Sequence, residues 1–165
     1  MAARPSFSDF ALALALENES ARNVTPLASL FENERDAIAS YGLLLDHRLI
    51  GDMADVVRHQ KAVHADRAMS LFSRMREVGI QDSTEGTPWR ALSLAIDQHA
   101  LPASLWVLAV LVSEEERILV DYRGALKVSD TVLRRLIAQR LLPGQVSSHN
   151  RIHQVARDAP PWKEF

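Results

Sequence analysis

Two glutamates and a histidine fall where a helical protein ordinarily places leucine. Read every third or fourth residue, Leu105–Leu126 (LWVLAVLVSEEERILVDYRGAL) gives Leu105, Leu108, Val112, Glu115, Leu119, Tyr122 and Leu126. That is one helical face with a carboxylate in its middle. Pro26 to about His47 repeats the arrangement with Leu27, Leu30, Phe31, Glu34, Ile38, Tyr41 and Leu45. A third run sets Gln60 and His64 within the stripe Met53, Val56, Val57, Ala68, Leu71, Met75 and Val78. Inward carboxylates and imidazoles on facing helices are the donors with which helical bundles hold divalent metals. The same glutamates, paired with Lys61 and Arg67, would instead make a buried or half-buried ionic cluster. His64 equally reads as a hydrogen-bonded core histidine, and Tyr41 and Tyr122 as core aromatics whose hydroxyls find a partner. His149 and His153, four apart, could clip a metal on a helix surface.

The elements that must position these residues are marked by their ends. Thr25–Pro26 starts a helix, because threonine caps free N–H groups and proline suits the first helical position. Gly51–Asp52 opens the next, which Gly79 stops near Val78. Gly86, Thr87 and Pro88 repeat the capping device for a shorter helix reaching about His99. The Glu115 helix follows, and Ser129 or Asp130 caps a last one reaching about Asp158. Pro143–Gly144 lies inside that helix and should kink it or break it in two. A short amphipathic helix is expected over 6–17, with Phe7, Phe10, Ala13 and Leu14 on one side. No stretch has the alternation of a strand.

The chain has 165 residues, 47% hydrophobic and 24% charged, with a net charge of −2. That suits one soluble domain with a sizeable core, divided into the helix at 6–17, a bundle over 26–158 and a tail over 159–165. The charge argues against a nucleic-acid module that works through bulk electrostatics. With no cysteine, disulfides, thiolate catalysis and cysteine zinc sites are excluded. The longest apolar run, Leu101–Val112, is short of the roughly 20 residues a bilayer needs, so no membrane partner and a cytoplasmic location are expected. No Gly-rich phosphate loop and no Gly-x-Ser-x-Gly elbow occurs, so nothing local supports catalysis.

LFENERDAIASY, EEERILVDYRGAL and LRRLIAQRLLPGQVSSHNRI carry charge and apolar spacing that resembles the ferritin-like superfamily, closest to its small bacterial members. The resemblance covers 26–158. It implies an all-α, antiparallel four-helix bundle, with short extra helices at the N-terminus and before the third long helix. The di-iron form takes one Glu from each of two helices and a Glu-x-x-His pair from each of the others. Carried over, Glu34 and Glu115 match the lone glutamates. The second-helix pair falls on Lys61 and His64, and the fourth-helix pair on Gln145 and Ser148, with His149 one residue on. Two carboxylates are missing, so the pattern is a degenerate one.

Three functions are open at this point. The first is a non-catalytic ferritin-like protein whose inward polar residues form an ion-pair network. The second is a metalloprotein holding one divalent ion (iron, manganese or zinc) through Glu34, His64, Glu115 and His149. The third is a helical interaction module with a groove lined by Trp89 and Trp106. A homodimer is expected, because Phe7, Phe10 and Trp162 on the terminal segments need apolar cover.

Overall fold

The computed structural model describes residues 26–46, 53–81, 85–98 and 104–158, with backbone only at 95, 97, 98 and 104–106. The expected helix at 6–17, Trp162 and the Trp106 side chain lie outside the described residues, and so does the dimer cover assigned to Phe7 and Phe10. Among the described residues the chain is all-helical, with no strand. The helices are α1 (Pro26–Asp46), α2 (Ala54–Glu77), α3 (Arg90–Gln98), α4 (Ser104–Val128), α5 (Thr131–Leu136) and α6 (Leu142–Asp158), the last two joined by a π-turn at Ile137–Leu141.

The helix ends follow local chemistry. Proline opens α1 at Pro26. Gly79 closes α2 at φ 75°, a conformation that costs glycine nothing. The Ile80 N–H donates to the Met75 carbonyl (2.9 Å) and the Gly79 N–H to that of Arg76 (3.2 Å), so two orphan carbonyls find donors. Asp130, not Ser129, caps α5: its Oδ1 accepts from the N–H groups of Val132 (2.8 Å) and Leu133 (2.9 Å).

Pro143 does not split the last helix. The Leu142 N–H donates five residues back, to the Ile137 carbonyl, and Pro143, which has no N–H, follows directly. The wider turn also keeps the buried face in phase. Leu133, Ile137, Leu141 and Gln145 are all buried and recur every fourth residue. In a plain α-helix that spacing drifts by about 40° per step; one surplus residue in the π-turn removes the drift.

Contacts between elements fix their directions. Phe31 stacks on Phe72 (5.8 Å between ring centroids), Glu34 meets Arg67, and Tyr41 meets His64 (5.3 Å), so α2 runs antiparallel to α1. Asn33 pairs with Asp121, Glu34 with Tyr122 and Tyr41 with Glu115, so α4 is antiparallel to α1 as well. Thus α4 runs in the same sense as α2, and the connection must carry the chain back. It does so along α1: Gly86 lies against Arg35, the Thr87 N–H donates to Asp36 (2.8 Å), and the Trp89 N–H donates to Ser40 Oγ (2.7 Å). A Cβ on Gly86 would stand 2.3 Å from the Arg35 carbonyl oxygen, so only glycine allows that approach. The core gathers Leu30, Leu44, Leu71, Met75, Leu111, Ile118, Ile137 and Ile152, each 2% exposed or less. No helix among the described residues is long and apolar enough to cross a membrane.

Candidate functional site

Within this core lies a closed polar cluster. Glu34 on α1, His64 on α2 and Glu115 on α4 are each fully buried, and Arg67 on α2 is nearly so. His64 bridges the glutamates: Nδ1 is 2.7 Å from Glu34 Oε2 and Nε2 is 2.9 Å from Glu115 Oε1. Arg67 Nε donates to Glu34 Oε1 (2.9 Å).

Two tyrosines complete it in a repeated pattern. Tyr41 follows Glu34 by seven residues, and Tyr122 follows Glu115 by seven, so each tyrosine shares a face with its own glutamate. Each then reaches across to the other helix. Tyr41 OH donates to Glu115 Oε1 (2.5 Å), and Tyr122 OH donates to Glu34 Oε1 (2.6 Å). From α6, Gln145 Nε2 donates to Glu115 Oε2 (2.7 Å) and to the Glu115 carbonyl oxygen (2.9 Å). Ser148 Oγ accepts from Arg67 Nη1 (3.1 Å).

The protonation states follow from this geometry. Burial alone would raise the carboxyl of Glu34, but His64, Arg67 and the Tyr122 hydroxyl outweigh it and hold the group below its ordinary value. Glu115 is lowered against burial in the same way, by His64, Tyr41 and Arg67. Burial would lower His64; Glu34 and Glu115, one on each ring nitrogen, raise it instead. Arg67 is raised against burial chiefly by Glu34. Burial and the neighbouring carboxylates push both tyrosines well above their usual range, so both hydroxyls keep the protons they donate. Both ring nitrogens of His64 face a carboxylate, so a protonated ring donates from each, and two negative charges then meet two positive ones. Arg67 Nη2, a further N–H donor, lies 2.8 Å from His64 Nδ1, the ring nitrogen that also faces Glu34.

Of the residues singled out for metal binding, Glu34, His64 and Glu115 come together, and His149 does not join them. Its ring packs against His153 (4.4 Å between centroids). Lys61, at a carried-over ligand position, is half-buried, its Nζ beside Gly42, while Arg67 takes the place between the helices. The donors do not fit a metal: both His64 nitrogens are engaged by carboxylates, and a guanidinium lies against Glu34 and the ring. Among the described residues no group of three or more carboxylates or histidines has the arrangement of a metal site. What the arrangement can do is hold two carboxylates, an imidazole and a guanidinium at fixed distance in a buried core. Trp89 is buried edge-on against Tyr41 (5.8 Å), as a core residue.

The sequence reading pairs Arg67 with the glutamates but gives the tyrosines no acceptor and treats Gln145 only as a lost ligand. The sevenfold Glu–Tyr spacing is the signal that finds both tyrosines. No protein-family model, no curated protein and no solved structure matches the chain.

Proposed function

We propose that this protein is a ferritin-like four-helix bundle in which His64 and Arg67 stand in place of the metal pair of the redox-active members. Its role in this reading is structural or associative, in the cytoplasm, and not catalytic. One observation carries it. The two glutamates that would be ligands are already engaged by side chains of the chain, with Arg67 bonded to Glu34 and His64 held between both carboxylates. The connectivity supports the fold: α1 antiparallel to α2 and α4, with a single connection that carries the chain back, is the ferritin-like plan with one crossover. Glu34 and Glu115 come from facing helices as in that plan, while Lys61 and His64 on α2 and Gln145 and Ser148 on α6 stand at the paired positions with two of the expected carboxylates missing. A homodimer belongs to the same reading. Met69 and Phe72 stand 73% and 40% exposed, one turn apart on α2, an apolar pair of the kind that partners cover.

The test is elemental analysis of protein purified without added metal or chelator, beside a Glu34→Ala, Glu115→Ala double variant. The expected result is no stoichiometric iron, manganese or zinc in either, and a strongly destabilised variant. About one equivalent of metal, lost in the variant, would overturn the proposal.

A further inference from the structure

Behind Arg67, an open groove of about 510 Å³ runs between α2 and α6. Gln60, Gly144, Ser147, Ser148, His59 and Arg151 line it. His59 and Arg151 are exposed, with no ion-pair partner among the described residues, and no carboxylate lines the groove. Gly144 carries no side chain, and a Cβ there would stand 3.7 Å from Arg67 Cδ and Nη1, so the buried guanidinium lies close under this wall. Arg151 therefore sets a positive charge on the rim, while Arg67 beneath the wall is paired with Glu34.

One of its residues is left incomplete. Gln60 is 1% exposed, and its Nε2 donates to the Ser148 carbonyl oxygen (3.3 Å), which fixes the orientation of the amide. Gln60 Oε1 is then buried with no donor, a state that costs about 1–3 kcal/mol unless something donates to it. Ser148 Oγ accepts from Arg67, so its own proton is available to an acceptor. A matching guest needs negative oxygens for Arg151, His59 and the serine hydroxyls, and one O–H for Gln60.

We propose that the groove binds a small oxyanion that carries its own hydroxyl, hydrogen phosphate being the simplest and a hydroxycarboxylate the other source of the same chemistry. This site is independent of the buried charge cluster, since its charged contacts come from the rim.

Isothermal titration calorimetry near pH 7 with inorganic phosphate, malate and sulfate, at matched ionic strength, tests it. Sulfate has the charge and shape of phosphate but no proton at that pH. Phosphate or malate is expected to bind about tenfold tighter than sulfate, the worth of one hydrogen bond to a charged group. Whichever of the two binds tighter identifies the source. Arg151→Ala, at an exposed position, should weaken binding about tenfold without changing the melting temperature. Gln60→Leu should abolish the preference over sulfate while leaving sulfate binding in place. No binding of any of the three overturns the proposal, as does binding that is equal for phosphate and sulfate and indifferent to Arg151→Ala.

Discussion

Arg67 decides what the buried glutamates are for. A carboxylate in a low-dielectric core must be paired, neutralised or given to a metal, and here the chain supplies the partner itself. The spacing of apolar residues identifies Glu34, His64 and Glu115 as inward. It does not say which cation joins them, because Lys61 and Arg67 flank the stripe on opposite sides. Arg67 finds a further acceptor on α6, where Ser148 Oγ takes a hydrogen bond from its guanidinium, and that helix is remote in sequence. Removing one charge leaves another buried and uncompensated, so Arg67→Met is expected to cost about 3–5 kcal/mol in urea denaturation. Glu34→Gln should cost a similar amount. The double variant restores neutrality, with His64 and Glu115 still paired, and should cost clearly less than the sum of the two. Strict additivity would mean that the two residues are not coupled.

At the scale of the elements, the helices were legible and the turn inside the last one was not. Proline at Pro26, glycine at Gly79 and Asp130 each act through local backbone chemistry, so the sequence alone places those boundaries within a few residues. A π-turn has no such local mark. It arises because the core spacing of Leu133, Ile137, Leu141 and Gln145 runs one residue ahead of an α-helix, and because Pro143 cannot donate. Deleting Gln139, which is exposed, removes the surplus residue and lets the segment relax to plain α-helix with its buried face kept. Pro143 would then lie inside a regular helix, and the deletion is expected to cost about 3 kcal/mol. Combined with Pro143→Ala it should cost much less. A deletion as damaging with alanine at 143 as with proline would show that the π-turn serves something other than phase and proline. The return path along α1 was equally hidden, since it depends on the close approach of Gly86 to the Arg35 backbone.

For the whole molecule, a chain that is all-helical among the described residues and built around a buried charged cluster should behave as one cooperative unit whose stability follows the ionisation of that cluster. Self-association through Met69 and Phe72 is checked by light scattering, where a dimer is expected that Met69→Lys returns to monomer; a monomeric parent protein would contradict it. The central claim is the charge state of the cluster, and the dependence of stability on pH reads it. Glu34 and Glu115 have lowered values, so their contribution is present above their ordinary 4.5 and is lost as pH falls through the folded values. His64 has a raised value, so its contribution is complete below its ordinary 6.5 and is lost as pH rises toward the folded value. The measurement to make is urea unfolding from pH 4 to 9 on the protein and on His64→Gln, taking the difference at each pH. The difference is expected to be largest between 4.5 and 6.5 and to fall on both sides. A difference that grows as pH rises through 6.5 would mean that His64 is buried neutral, and the account of a cluster closed by its own cations would be wrong.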